Sequence, residues 1–170
     1  MALRNLSLLF ISLFILAACG GGGGSTTTSP AGCSPSTTNL CITVVGGKYV
    51  VQNSSSAGVS QKTLTLNAGT YTFDQTDSSN VTPAGAYGSA RIHQIGFSTT
   101  SDGTFGGGST YSTGVNTSGS PGSNGKTTIV IDASTPSTLY YYCVNHTGMG
   151  GTINIVIGNQ SEQVEFTETN

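Results

Sequence analysis

The sequence predicts an all-β protein, a Greek-key β-sandwich of short strands, and three observations carry that prediction. Runs rich in Val, Ile, Thr and Tyr are separated by clusters of Gly, Pro, Asn and Ser. Several of these runs alternate apolar with polar residues, so that Leu64 and Leu66, Tyr71 and Phe73, Ile129 and Ile131, and Ile153 and Ile155 each share a face. No run shows the 3.6-residue apolar period of a helix.

In chain order, strands are expected over residues 40–45 (LCITVV), 48–52 (KYVVQ), 62–66, 70–74, 90–99, 126–132, 138–144 and 151–158. LNAGT, between the third and fourth, has the Asn and Gly of a tight turn. The stretch from Thr100 to Lys126 is too long for a structureless connection, so STYSTGV within it is expected to form a further short strand. In TLYYYCV, alternation sends Tyr141 to the core and puts Tyr140 and Tyr142 on the other face, packed there rather than serving as an electron path. Asp74, Asp77 and Asp102 fall in turns, and their spacing matches no EF-hand loop.

The N-terminus reads as an address. Arg4 precedes an apolar run over residues 6–18, shorter than the about 20 residues that span a bilayer but suited to a signal-peptide core. Leu16-Ala17-Ala18-Cys19 resembles the lipobox of bacterial lipoproteins. That resemblance implies that residues 1–18 are removed and that Cys19 carries acyl chains, anchoring the protein in the cell envelope. Gly20, where an aspartate signals inner-membrane retention, points to the outer membrane, facing the periplasm or the cell surface. Residues 19–38, opening GGGGGSTTTSPAG after Cys19, bury too little apolar surface to offset the entropy of ordering, and form a tether. A single domain is expected over residues 39–159, followed by an acidic tail, 160–170, with Glu162, Glu165 and Glu168. Without Arg4, four basic residues face seven acidic ones, so no basic patch is expected to hold nucleic acid.

Cys33 and Cys41 flank seven residues, close enough to form a disulfide at the start of the first strand. With Cys19 acylated, Cys143 is then the odd cysteine, and a lone thiol in an oxidising compartment is a liability unless buried or bound. One reading makes it a buried, apolar-like thiol. The other rests on its neighbours: the chain has two histidines, His93 and His146, and Met149 is its only methionine besides the initiator. All four residues meet at one site if the strand carrying His93 lies beside the strand carrying Cys143. Cys143 then ends a strand, His146 sits on the turn that follows, and Met149 lies where the chain bends into GGTINIV. A thiolate, two imidazoles and a weak thioether suit copper. Zinc takes thioether poorly, and iron–sulfur clusters want several thiolates.

The segment LYYYCVNHTGMGG, an aromatic strand ending in C-x-x-H-x-x-M, resembles the cupredoxins, the type 1 blue copper proteins such as plastocyanin, pseudoazurin and amicyanin. The resemblance implies a cupredoxin-like barrel with one copper ion held by His93 (in RIHQIGFS), Cys143, His146 and the axial Met149. The loop is as short as amicyanin's; in the longer register of plastocyanin and pseudoazurin, Gly151 stands at the axial position. Gln94 follows His93 where plastocyanin-like sequences usually have Asn. The resemblance also implies an electron carrier with a redox partner protein. The alternatives are a cupredoxin-like binding or structural surface module, with or without copper, and a copper store or delivery protein. No enzyme is expected, because no carboxylate or amide is placed by sequence to orient His146 behind Cys143.

Overall fold

The computed structural model describes residues 29–84 and 90–158. The expected signal peptide, the expected lipidation site Cys19, the first half of the expected tether and the acidic tail lie outside these residues.

The described chain is all β, built as a sandwich of two mixed sheets. Its strands are β1 (Asn39–Val45), β2 (Lys48–Asn53), β3 (Ser56–Ser60), β4 (Leu64–Asn67), β5 (Gly69–Asp74), β6 (Val81–Thr82), β7 (Arg91–Ile92), β8 (Ile95–Ser98), β9 (Thr110–Tyr111), β10 (Val115–Ser118), β11 (Lys126–Ile131), β12 (Thr138–Cys143) and β13 (His146–Val156). One sheet runs β10-β11-β5-β1-β2-β3 and the other β4-β13-β12-β8-β9, while β6 and β7 form a separate small ribbon. β1 lies parallel to β5 and β13 parallel to β4; the other pairings are antiparallel. The chain changes sheets at Ala68, between β4 and β5.

Period-2 alternation aims one row of each sheet inward, and those rows meet as a single core. Leu40, Ile42, Tyr49, Val51, Phe73 and Ile129 come from the first sheet, and Leu64, Ile95, Phe97, Leu139, Tyr141 and Ile153 from the second. Aromatic rings bridge the layers: Phe73 meets Phe97 edge-on with centroids 5.0 Å apart, and Tyr49 lies 6.4 Å from Tyr141. Such pairs contribute about 0.5–1.5 kcal/mol beyond the area they bury. Cys33 is disulfide-bonded to Cys41, their Cα atoms 5.8 Å apart, as the spacing predicts. The bond ties the chain before β1 to a strand inside the sheet.

Four differences from the sequence reading bear on the site. The expected strand over residues 90–99 breaks at His93 and Gln94, because the His93 amide donates to the Asn80 carbonyl instead of to a neighbouring strand. The last strand begins at His146, not at residue 151, so only Val144 and Asn145 connect β12 to β13. Tyr142 is buried as well as Tyr141, because the 3-10 turn Gly103–Gly106 folds over the outer face of β12. A Cβ added to Gly103 would stand 2.4 Å from the Tyr142 ring, and the Tyr142 hydroxyl pairs with Thr110 Oγ1 at 2.8 Å. Finally, STYSTGV supplies β9 and the first residue of β10, separated by a turn, rather than one strand.

Candidate metal centre

Cys143 is the last residue of β12, and its side chain is fully buried. Two pairings hold it in place, with Ile95 of β8 on one side and His146 of β13 on the other. The first pairing brings β8, and with it the preceding His93, alongside the thiol. The second makes a tight hairpin that carries His146 back over the same end of the sandwich.

His93, Cys143 and His146 thus converge, with one ligand atom from each lying within 4.8 Å of the others. Cys143 Sγ is 3.5 Å from His146 Nδ1 and 4.0 Å from His93 Nδ1. The imidazole rings lie 4.7 Å apart between centroids, tilted by 48°. An ion bonded to sulfur at about 2.3 Å and to nitrogen at about 2.05 Å, at angles between tetrahedral and trigonal, needs S···N separations of about 3.6–3.8 Å. The two observed distances bracket that range. The donor set therefore fits a metal ion with only small movements of the side chains.

The second nitrogen of His93 is also held. Its Nε2 pairs with Thr82 Oγ1 at 3.1 Å. A proton on Nε2, donated to Thr82, leaves the Nδ1 lone pair facing Cys143, which is the usual way an outer partner fixes the tautomer of a ligating histidine. Burial first, then the nearby His146 and Arg91, lowers the His93 pKa from its ordinary 6.5, which keeps the ring neutral and able to ligate near neutral pH.

The backbone of His93 hangs on a buried polar network. Its carbonyl accepts from the Tyr49 hydroxyl at 2.9 Å and from Gln75 Nε2. Gln75 has no solvent exposure, and its Nε2 also donates to Asn80 Oδ1 at 3.0 Å. Its Oε1 accepts from the Ile95 amide at 3.0 Å and from Gln94 Nε2 at 3.2 Å. Asn80 in turn donates to the Ile42 carbonyl at 2.8 Å, tying the network to β1. Among the described residues, no buried side-chain nitrogen or oxygen lacks a partner. The Tyr49 phenol is held well above its ordinary pKa, first by burial and then by Cys143, so it remains a donor.

Met149 is buried at 2% exposure within the core, on β13 three residues beyond His146. The pairing register explains its setting. Cys143 faces His146 and Tyr141 faces Gly151, so the single residue Tyr142 opposes the four residues 147–150 in a wide bulge. Gly148 takes a left-handed φ of +71° there, and a Cβ on Gly150 would stand 1.7 Å from the Tyr141 carbonyl oxygen, so neither position accepts a side chain without a shift.

The structure thus brings together His93, Cys143 and His146, and places Met149 in the adjoining bulge. Sequence reasoning missed Gln75, Asn80, Thr82 and Tyr49, which hold His93, and Gln61 and Lys48, which bond the bulge. Asp102, read as a turn former, also bonds it. Each carries an ordinary turn or strand signal, and its contact with the site spans 11 to 100 residues of chain. No family model and no curated protein matches this sequence.

Two outcomes are expected. Gln75→Met keeps the volume but leaves Asn80 Oδ1 without its donor and the Ile95 amide without its Gln75 acceptor; urea denaturation is expected to show a loss of about 2–4 kcal/mol. The lowered His93 pKa sets the sign of a pH effect. Just below 6.5 the unfolded chain binds a proton that the folded site declines, so stability is full above about 6.5 and falls as pH drops toward the folded pKa. Melting of the metal-free protein in chelator between pH 8 and 5.5 is expected to follow this course, and His93→Asn to flatten it.

Proposed function

We propose that the protein is a copper-binding, blue-copper-type electron carrier of the cupredoxin kind, tethered to the cell envelope through a lipid on Cys19. The observation that carries this reading is the Cys143 sulfur set between two imidazole Nδ1 atoms, at 3.5 and 4.0 Å. A copper ion bound there would supply a one-electron couple between +1 and +2. The chain's own residues do the rest. Cys143 and His93, both buried, exclude water from the ligand set, and the network around Gln75 limits how far His93 can move between oxidation states.

His146 is only partly buried, and it stands where an electron would enter or leave. Ile92 and Val144, 46% and 38% exposed, lie at this end, where the Asn145 side chain donates to the Ile92 carbonyl at 2.8 Å. Such a small, weakly charged face suits the brief, low-area encounters of redox proteins. The partner is then another redox protein of the envelope.

A second reading, a binding or structural surface module, draws on the polar cleft of about 330 Å³ lined by Thr63, Ser101, Tyr140 and Thr152 beside the bulge. One experiment separates the two. Mature protein loaded with Cu(II) is expected to become intensely coloured through thiolate-to-copper charge transfer, to be reduced reversibly at an electrode, and to lose the colour in Cys143→Ser. A folded wild type that stays colourless contradicts the blue-copper reading, and a coloured protein with no reversible wave favours the surface module.

A further inference from the structure

Among the described residues, two that are not glycine have a left-handed backbone: Gln61, with φ of 48°, and Asp102, with φ of 59°. Such a conformation is disfavoured for residues with a Cβ and persists where the surroundings impose it. Both residues direct their side chains at the same object, the bulge over residues 147–150. Asp102 Oδ1 accepts from the Gly148 amide at 2.8 Å, and its Oδ2 accepts from the Thr147 hydroxyl. Gln61 Nε2 donates to the Gly148 carbonyl at 3.1 Å and to the Gly150 carbonyl at 2.8 Å. Lys48 Nζ donates to the Gly148 carbonyl as well.

These groups come from three separate places: the start of β2, the connection between β3 and β4, and the turn before Gly103. Between them they hold the amide and the carbonyl of Gly148 and the carbonyl of Gly150. Met149 lies between those two glycines, so its backbone is fixed from both sides.

We propose that Gln61 and Asp102 are positioning residues that hold residues 147–150 in the ligating shape before a metal arrives, and so set how Met149 approaches the site. The proposal rests on the metal reading above, but its first test needs no metal. Asp102→Gly removes the carboxylate while suiting the left-handed backbone, so the change does not strain the turn. Asp102→Asn keeps one acceptor oxygen on a residue that tolerates the same conformation.

In the metal-free protein, amide hydrogen exchange at Gly148 is expected to quicken at least about tenfold in Asp102→Gly, with the β1–β2 amides unchanged, and to be restored in part by Asp102→Asn. After addition of Cu(II), Asp102→Gly is expected to keep the thiolate charge-transfer band but to shift its maximum and the reduction potential in the direction that Met149→Leu shifts them. Gly148 exchange equal to the wild type overturns the proposal. So does faster exchange spread evenly over every strand, or a copper spectrum and potential identical to the wild type. A wild type that takes no copper overturns the metal reading instead, and the exchange comparison still decides the clamp.

Discussion

The geometry of the site depends on how the peptide of His93 is held. That residue lies in a break between two strands, so no ladder fixes it, and a buried carbonyl without a partner costs about 1–3 kcal/mol. The Tyr49 hydroxyl and Gln75 Nε2 both donate to this carbonyl, and Asn80 accepts from the amide. Gln75 ties the arrangement together, because its single amide group reaches His93, Asn80, Gln94 and Ile95. A fully satisfied network of this kind is rigid as well as stable, since each bond in a low-dielectric interior strengthens its neighbours. The imidazole of His93 is thus presented to Cys143 by a scaffold reaching back to β1 and β2.

The other half of the site is held differently. Cys143 and His146 share a hairpin, and their relation is fixed by strand pairing rather than by side-chain networks. Two residues connect the strands, so the thiol and the second imidazole cannot separate without breaking the ladder. The bulge that follows absorbs the mismatch between this tight turn and the regular pairing from Gly151 onward. The candidate site and the bulge beside it therefore rest on three devices, a buried amide hub, a hairpin and side chains bonded to the bulge, each drawing on a different part of the chain.

Much of the fold was legible in the sequence because burial leaves a period-2 trace. β1, β2, β4, β5, β11 and β12 were found within a residue or two; β4 and β11 alternate throughout, and all six feed the common core. β3 left no such trace: Ser56–Ser60 lies at a sheet edge, largely exposed, and has Val59 as its one large apolar residue. The convergence of His93, Cys143 and His146 was legible from rarity, in a chain with two histidines and, among the described residues, one free thiol. The outer partners were not. Gln75 sits in FDQTD, which reads as a turn, and its contact with His93 spans 18 residues. Asp102 and Gln61 reach the bulge across 46 and 87 residues, and nothing local to either announces a target so far away. The same distance hid the bulge, whose length follows from register and not from the residues within it.

The central claim is that one sulfur and two nitrogens of this chain form a single metal-binding set. X-ray absorption at the copper edge of the Cu(II)-loaded protein reads that set directly. The account predicts a first shell with one sulfur and two nitrogen scatterers, and loss of the sulfur in Cys143→Ser. A first shell of nitrogen and oxygen alone in the wild type would contradict it.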